Sequence, residues 1–492
     1  MAHTVTVASQ NHNEEEPLLP DSLDVPKRPT PLPKIQIAVL LLICLIEPIA
    51  SQSILPYINQ LVSELDIVGG DSRKVGYYAG LIESLFFVTQ ALTVLHWSRV
   101  SDRIGRKPVL LLGTFGLCLS MFCFGLSRTF WGLVLSRCIT GALNGNVGVT
   151  KSMMGELTDV TNRAQGFAFL PIIWSSGAVI GPIIGGSLSR PQAHFSRLFT
   201  GNFWGDYPYF LPSLVAAMFA ALTFLMILFF LQETLPGPLW YKPLPTVVDR
   251  EATLRGGDYG TVSETSDLPV LGSDELDDPV PLKSLLVSKV LIPITCHCSV
   301  AVLQIAMCAL QPLFYSASIQ DGGLGFTPVT IGFWMSSLGV ANGIVQALFF
   351  APLISKFGPK TLYRIGHGSF AMFFALFPII HMIAWRSGIV WPVWALLSCQ
   401  LCISVVQSMA FSSVLIYITA SAPNQKTLGA VHGLNQTTAS AARAIGPALA
   451  TSMFAYSMEH DILGGYAVYF VMIAITLVTS WFGAMLPVEP GN

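Results

Sequence analysis

The sequence predicts an all-α membrane protein in which twelve transmembrane helices form two pseudo-symmetric six-helix bundles. Three observations lead to this fold class: the scarcity of charge, the length of the apolar runs and a repeat between the two halves. Of the 492 residues, 52% are hydrophobic and only 11% are charged, whereas a soluble protein carries roughly 25% charged residues. Apolar runs of about twenty residues, the length that spans a bilayer core, take their place.

Twelve apolar runs are predicted as spans, six on each side of a long polar segment. They cover residues 35–58, 76–97, 108–127, 130–151, 164–188, 208–231, 288–316, 328–351, 362–384, 389–419, 427–456 and 464–486. The polar segment 232–287 is rich in Pro, Gly, Asp and Glu, as linkers are. We therefore expect a disordered cytosolic tail at 1–34, bundles at 35–231 and 288–486, a cytosolic linker at 232–287 and a cytosolic tail at 487–492.

The distribution of Lys and Arg predicts the orientation of the chain in the membrane. If the N-terminus is cytosolic, eighteen of the 26 basic residues fall on the cytosolic side and six on the other. Because cytosolic loops carry an excess of Lys and Arg, we expect both termini in the cytosol.

Three motifs recur in order in the two halves, at offsets of 253, 263 and 265 residues. The matched pairs are Asp102–Lys107 with Ser355–Lys360, Arg163–Gly166 with Lys426–Gly429, and Gly181-Pro182 with Gly446-Pro447. Repeated units of this kind are a common plan of membrane transporters.

Three ionisable residues fall inside predicted spans at a similar depth. Glu47 lies twelve residues into its span, roughly 18 Å from the cytosolic face. Glu83 and Arg137 lie seven residues into inward-running spans, or about 20 Å from the same face. Because intramembrane charges are costly and usually functional, we expect Arg137 to lie near both carboxylates in a proton-coupling centre. The alternative is a buried ion pair that only fixes helix packing.

Polar side chains on several spans predict a water-filled central cavity that binds a small-molecule substrate. In the fourth span, Arg137, Gly141, Asn144, Gly148 and Lys151 share one helical face. The alternative is hydrogen bonding between helices. The proposed cavity residues are Gln52, Asn144, His297, Gln304, Gln311, Asn342, Gln346, Gln407, Asn435 and Arg443.

Two further motifs are a charged hairpin and a glycine-rich span. The hairpin at Ser98–Lys107 holds four cations and one acid between two apolar runs. In the fifth span, Gly177, Gly181 and Gly185 recur at four-residue spacing and form one groove, and Pro182 can kink the helix.

These motifs resemble the major facilitator superfamily, in particular its twelve-helix drug:proton antiporter group and the fungal relatives of zinc-induced facilitator-like proteins. The hairpin is similar to the superfamily's first signature. Its matching residues are Asp102, Arg103, Gly105, Arg106 and Lys107, with Ser98 in place of a glycine. Arg137 with Gly141 resembles the second signature, and the span that contains Gly177, Gly181, Pro182, Gly185 and Gly186 resembles the antiporter signature.

The resemblance implies two halves that rock about a midplane site. The hairpin would then govern the conformational state, together with Glu156 or Asp159, and Arg137 would take part in proton coupling. We expect Glu47 to exchange a proton while the substrate, a small organic molecule or metal chelate, moves out of the cytosol. The second copy of the first signature has Ser355 in place of the acid, which implies a weaker lock.

Two other functions stay open: a proton-coupled uptake symporter for a nutrient or organic acid, and a transport-inactive receptor or sensor. We expect a monomer without enzymatic activity, metal or cofactor, and the net charge of −2 argues against nucleic acid as a partner. Glu14–Leu19 resembles an acidic dileucine sorting signal, so a vacuolar membrane is one expected location and the plasma membrane is the other.

Overall fold

The computed structural model describes residues 31–158, 162–235, 287–421 and 428–488. The dileucine motif, Asp159 and most of the linker lie outside these residues. Beside short helices in its connections, the first half contains six main helices, numbered α1 to α6, of which α4 is divided into α4a and α4b. They are α1 at Lys34–Ile54, α2 at Val75–Ile104, α3 at Arg106–Leu126, α4a at Phe130–Leu143, α4b at Asn146–Leu157, α5 at Arg163–Leu188 and α6 at Phe210–Phe230.

The second half contains another six long helices. They are α7 at Ser288–Ser316, α8 at Pro328–Phe357, α9 at Pro359–Ser387, α10 at Trp391–Ala420, α11 at Leu428–Glu459 and α12 at Ala467–Met485. Within the described residues, nine helices are long and apolar enough to cross a membrane. The other three are α4, which is interrupted, α5, whose apolar stretch is Ile172–Leu188, and α11, which carries many polar residues. The predicted fold class is confirmed.

The two charged hairpins share a backbone feature that supports the repeat. Gly105 joins α2 to α3 with φ of 107°, and Gly358 joins α8 to α9 with φ of 76°. Only glycine adopts such a conformation without steric cost. Each half therefore turns between its second and third helices on a left-handed glycine.

Aromatic side chains fill much of the interior of each half. In the second half, Phe377 of α9 stacks on Tyr469 of α12 with ring centroids 4.9 Å apart. In the first half, Tyr57 stacks on Tyr209 at 5.2 Å. These contacts tie the outer helices to the inner ones, so each half can move as a packed unit.

The two halves meet closely at one end of the helices. We call this end the far side, because it holds the α1–α2 and α7–α8 connections. The opposite end, the linker side, holds Gly105, the end of α6 and the start of α7. On the far side, the Ser72 hydroxyl donates to the Asp321 carboxylate at 2.7 Å, and the Arg73 guanidinium lies 3.7 Å from the same carboxylate. Residues of the first and second halves are thus joined directly at this end.

Two helix pairs form the contact between the halves. In the first, α2 packs on α11, where a Cβ at Gly80 would overlap the Thr451 hydroxyl. In the second, α5 packs on α8, where the Ser336 hydroxyl donates to the carbonyl of Val179 at 2.8 Å and Gly332 lies against the carbonyl of Pro182. Small residues allow these backbones to approach, as in other membrane helix pairs.

Candidate functional site

Glu47 of α1 lies at the centre of a polar cluster between the two halves. Its carboxylate interacts with the side-chain amides of Asn144 and Gln90 and lies within electrostatic reach of Arg443 and Lys151. Arg443 belongs to α11 of the second half, whereas the other four residues belong to the first half. The cluster therefore spans the boundary across which the halves would move.

A break in α4 brings Asn144 into this cluster. Helix α4a ends at Leu143 and α4b begins at Asn146, with Asn144 in a non-helical conformation. The Trp97 indole donates to the carbonyl of Ala142 at 2.6 Å, and a Cβ at Gly145 would lie 2.5 Å from the Cβ of Trp97. Only glycine fits there, so packing against Trp97 accounts for the position of the break.

Arg137 belongs to a different cluster, so the expectation that it lies near both carboxylates is wrong. It interacts electrostatically with Glu83 and with Tyr57, and its guanidinium lies 5.5 Å from the centre of the Phe86 ring. Its side chain is buried, with 4% exposed. Depth in the membrane groups Arg137 with both carboxylates, but helix packing decides which carboxylate it faces.

The expected continuous polar face of the fourth span is also wrong, for the same structural reason. The break after Leu143 separates Arg137 on α4a from Lys151 on α4b. Arg137 accompanies Glu83, and Lys151 accompanies Glu47 and Arg443. The span thus contributes one cation to each carboxylate.

Glu83 lies at the closed contact between the halves. It lines a cavity of about 10 Å³ with Asn59 and Gly80 of the first half and Pro312 and Thr451 of the second. That volume is close to the minimum that holds one water molecule. Among the described residues, the Asn59 amide nitrogen has no hydrogen-bond partner, so the cavity offers an unused donor beside the carboxylate.

Three of the expected cavity residues are buried with unused hydrogen-bonding atoms. His297 of α7, Gln407 of α10 and Asn435 of α11 are each at most 3% exposed. Both ring nitrogens of His297, both amide atoms of Gln407 and the Asn435 Oδ1 make no well-formed hydrogen bond among the described residues, although the Asn435 side chain is close enough to interact with His297. Asn435 lies beside His297, and the Phe411 ring lies 5.1 Å from the His297 ring.

The other expected cavity residues have different surroundings. The Gln311 amide donates to the Tyr315 hydroxyl at 2.8 Å, and the Gln346 amide donates to the Ser408 hydroxyl at 2.9 Å. Gln311 and Gln346 therefore bond to neighbouring side chains in this conformation. Gln304 and Asn342 are half-buried, and the Asn342 Oδ1 has no partner in the described part of the chain.

The glycine groove of α5 packs on α1. A Cβ at Gly177 would lie 2.5 Å from Pro48, and one at Gly181 would lie 2.8 Å from the Cβ of Gln52. Gly185 faces the backbone of Ser53 in the same way. Gln52 is thus placed against the groove, one turn of α1 beyond the turn that carries Glu47.

Gly186 and Pro182 face the other half of the protein instead. A Cβ at Gly186 would lie 2.6 Å from the carbonyl of Pro328 in α8, and the Pro182 carbonyl lies against Gly332. The glycine-rich span therefore holds α1 on one face and α8 on the other, and its position couples the Glu47 helix to the contact between the halves.

The charged hairpin forms a compact ion-pair cluster on the linker side. The Arg106 guanidinium lies 2.6 Å from the Asp102 carboxylate and 2.9 Å from the Glu156 carboxylate at the end of α4b. It also donates to the Ser101 hydroxyl at 2.7 Å. Arg103, by contrast, is exposed. The cluster joins α2, α3 and α4b within the first half.

Glu233, which the sequence argument missed, completes this cluster. Its carboxylate accepts hydrogen bonds from the backbone amides of Arg106 at 2.8 Å and Lys107 at 2.9 Å, the first two residues of α3. A Cβ at Gly105 would lie 2.5 Å from the same carboxylate. An acid at a helix N-terminus is favourable. Glu233 lies just after the sixth apolar run, and this position at the start of the linker is the only sequence signal for its role.

Gln90 was missed as a ligand-facing group. It lies seven residues after Glu83 on α2, so a helical-face argument could have related the two. Lys151 was placed on the polar face of the fourth span but was not among the proposed cavity residues. No sequence signal showed that both residues meet Glu47.

This fold and site define a class of protein: a multi-pass membrane transporter whose halves enclose a polar site. The sequence model of the Major Facilitator Superfamily matches residues 40–447, which is most of the chain. The protein belongs to this superfamily.

Relatives match over nearly the whole chain. The major facilitator-type transporter psiT2 of Psilocybe cyanescens is 33% identical over 92% of this chain and 90% of its own length. The efflux pump azaK of Aspergillus niger is 30% identical over 92% and 88%. The protein ZINC INDUCED FACILITATOR-LIKE 1 of Arabidopsis thaliana is 27% identical over 92% and 90%. The relatives thus include named efflux pumps and zinc-induced facilitator-like proteins.

Solved structures share the fold. The human organic anion transporter MFSD10 is 21% identical with a TM-score of 0.60 and covers 92% of this chain and 100% of its own. A D-xylose–proton symporter is 14% identical with a TM-score of 0.67 and covers 93% and 99%. At these identities the similarity is one of architecture.

Proposed function

We propose that this protein is a proton-coupled antiporter that exports small organic molecules or metal chelates by alternating access. One observation carries the proposal: the halves are closed on the far side, while Glu47 and its cationic neighbours stand between them. With the linker and both termini in the cytosol, as the basic residues predict, this arrangement is a cytosol-facing state ready to load substrate. The relatives include a named efflux pump, azaK, and a named multidrug transporter, mfsB, which supports export as the direction.

The coupling proton would be exchanged at the half-buried carboxylates of Glu47 and Glu83. Glu83 has the more direct link to conformation, because it lines the contact between α2 and α11 that must open on the far side. Arg137 would stabilise its ionised form. Glu47 interacts with Arg443 of the other half. Both positions would therefore change surroundings when the halves move.

The hairpin cluster would act on the conformational state and not on the cargo. Asp102, Arg106 and Glu156 are bonded to one another within the first half in this state. If the linker side closes, we propose that Asp102, which is more than half exposed, exchanges partners and holds the closed form. Gly105 and Lys107 shape the same turn, and Arg103 and Asp159 would contribute charge to it.

The test is proton movement in proteoliposomes that contain the full-length protein and a pH-sensitive dye. Candidate organic anions, organic cations and metal chelates are added outside. An antiporter expels protons as substrate enters, so the interior should become more alkaline. Acidification would identify an uptake symporter, and no response across the panel would favour a receptor or sensor. Either result would overturn the proposal.

Two conservative variants assign the coupling. Glu47→Gln and Glu83→Gln keep the shape of the side chain and remove its titration, so at least one should abolish substrate-driven proton movement while leaving folding intact. The matched control is Asp206→Asn, which removes an acid that pairs with Arg128 at 3.1 Å outside the spans. Normal coupling in both glutamine variants would contradict a role for these carboxylates.

A further inference from the structure

Two cations face a single acid in the cleft between the halves. Lys151 of α4b interacts with Arg443 of α11 and with Glu47 of α1, and Arg443 interacts with Glu47. The other titratable groups that face this cluster are His297, His432, Cys44 and Cys308. The charge of Glu47 balances only one of the two cations, so the cleft has an excess of positive charge.

Two glycine positions beside this cluster have open space around them. A Cβ built on Gly148, one turn before Lys151, or on Gly433 of α11 would meet no heavy atom within 4 Å in the described part of the chain. Lys151 is exposed although it belongs to a predicted membrane span, and Arg443 is half-buried. A buried ion-pair cluster that served packing alone would be closed over and balanced in charge.

Buried polar atoms without partners lie nearby on the second half. His297, Gln407 and Asn435 hold unused donors and acceptors among the described residues. His297 is within electrostatic reach of Arg443 and Lys151. Because burial of a polar group without a partner is unfavourable, these atoms indicate a site whose bonds are completed by another molecule.

We propose that this cleft binds an organic molecule through an acidic group, a carboxylate, sulfonate or phosphate, held by Lys151 and Arg443. His297, Gln407 and Asn435 would bind other polar atoms of the molecule, and Phe411 offers an aromatic face beside them. The inference rests on the proposed transport function and names the substrate class: organic anions or anionic chelates. Cationic drugs lacking an acidic group are excluded.

The charges of Lys151 and Arg443 also indicate different roles for Glu47 and Glu83. An acidic ligand competes with the Glu47 carboxylate for Lys151 and Arg443, so a proton on Glu47 promotes ligand binding. In an antiporter, by contrast, a proton on the coupling residue must weaken ligand binding. Glu47 therefore serves as the counter-ion of the ligand-free site, and the exchanged proton belongs to Glu83, whose electrostatic partner is Arg137.

The test measures the electrostatic potential of the cleft directly. Gly148→Cys is introduced into a full-length chain whose nine native cysteines are replaced, and the new thiol reacts with methanethiosulfonates of equal size but opposite charge. After correction for a free thiol in solution, the sulfonate reagent should react faster than the trimethylammonium reagent. A potential of one kT gives about a sevenfold ratio for reagents that differ by two charges.

Charge-changing variants test whether the named residues produce this potential. Lys151→Gln and Arg443→Gln should each lower the ratio, Glu47→Gln should raise it, and Lys356→Gln, an exposed cation outside the cleft, should leave it unchanged. Lys151→Arg keeps the charge and should preserve it. An unreactive thiol, a ratio at or below one, or a ratio unaffected by Lys151→Gln would overturn the proposal.

A second arm tests for binding of the acidic group itself. In the Gly148→Cys protein, 4-phenylbutyrate should slow the reaction of the introduced thiol with a neutral maleimide more than the matched amine 4-phenylbutylamine does, and Glu47→Gln should strengthen this protection. Equal protection by both compounds would contradict recognition of an acid. Because neither arm depends on a pH gradient, failure of proton coupling would leave the labelling pattern intact, so the two proposals fail separately.

Discussion

The backbone amide of Ala448 donates a 2.8 Å hydrogen bond to the Ser84 hydroxyl, and this bond joins the two halves of the protein. Ser84 directly follows Glu83 on α2. Ala448 follows Pro447 on α11, and Pro447 has no amide hydrogen for a bond of its own. The contact that closes the far side is thus one residue away from a carboxylate that we propose to carry the coupling proton.

Gly80→Leu should shift the protein away from the state described here. The added side chain would overlap Thr451 and the Pro447 carbonyl only when the far side is closed. Overpacking costs about 1–3 kcal/mol, which changes the ratio of the two states by roughly 5–150-fold. Spin labels at Asn202 and His460, both exposed on the far side, should show a larger population at long distance.

The matched control for this variant is Gly368→Leu. Gly368 is also a helical glycine, but a Cβ there would meet nothing within 4 Å among the described residues. Its distance distribution should equal that of the unmodified protein. A Gly80→Leu variant that keeps the unmodified distribution would show that the α2–α11 contact does not separate.

Replacement of Arg137 alone should be much more damaging than replacement of Arg137 together with Glu83. Arg137→Met leaves the Glu83 carboxylate without its cation, and an uncompensated buried charge costs about 3–5 kcal/mol. In Glu83→Leu/Arg137→Met both charges are gone, so the thermal unfolding midpoint should recover most of the loss. If the double variant is no more stable than the single one, the two side chains are not energetically coupled.

Glu233→Ala should loosen the start of α3. The variant removes the acceptor for the amides of Arg106 and Lys107, and loss of an N-terminal cap costs about 0.5–2 kcal/mol. Hydrogen exchange of these two amides should accelerate by several-fold, whereas Glu233→Gln, which keeps an acceptor oxygen, should have a smaller effect. If hydrogen exchange of these amides is unchanged in Glu233→Ala, water replaces the carboxylate as acceptor without loss of protection.

Tyr209→Phe should destabilise the far side of the first half. The Tyr209 hydroxyl, just before the start of α6, donates to the Glu64 carboxylate at 2.7 Å. Burial and the negative charge of Glu64 raise the pKa of the Tyr209 phenol, so it remains a neutral donor. A hydrogen bond to a charged group contributes about 1.5 kcal/mol, and the unfolding midpoint should fall by a few degrees.

Tyr207→Phe is the control for this change. The ring of Tyr207, not its hydroxyl, contacts the Arg128 guanidinium, which lies 4.2 Å from the ring centre. The unfolding midpoint should therefore stay within error of the unmodified protein. A similar loss in both variants would show that the Tyr209 hydroxyl has no specific role.

The helices were predictable because a bilayer demands long apolar runs. The span predicted at 288–316 is observed as α7 at Ser288–Ser316. The interruption of α4 was not predictable, because it depends on the contact of Gly145 with Trp97, which lies on another helix. Local sequence indicates where a chain can be helical, whereas tertiary packing decides where a helix breaks.

The partners of the buried charges show a second limit of the sequence. The helical rise per residue gave similar depths in the membrane for Glu47, Glu83 and Arg137. Depth alone therefore predicted that the three side chains form one cluster. The direction in which each side chain points depends on how the helices pack. That packing pairs Arg137 with Glu83 and brings Lys151 and Arg443 to Glu47. Composition and spacing identified most of the charged residues of the site but could not assign them to partners.

A reversible crosslink on the far side tests alternating access most directly. A Cβ at Gly76 would lie 3.3 Å from the Cβ of Ala455 and 2.7 Å from the carbonyl oxygen of Thr451. A disulfide between Gly76→Cys and Ala455→Cys therefore joins adjacent positions and needs a small separation of α2 and α11. Gly125→Cys with Ser213→Cys provides a control crosslink within the first half, where the corresponding distance is 2.8 Å, so that α3 and α6 must also separate slightly for the disulfide to form. Both pairs are placed in the chain without native cysteines.

Transport of a substrate found in the proton-flux screen is then measured before oxidation, after oxidation and after reduction. Alternating access predicts that the Gly76–Ala455 crosslink stops transport, that reduction restores it, and that the control crosslink has no effect. Full transport by the oxidised Gly76→Cys/Ala455→Cys protein would contradict alternating access, because substrate would then cross the membrane without separation of the two halves on the far side.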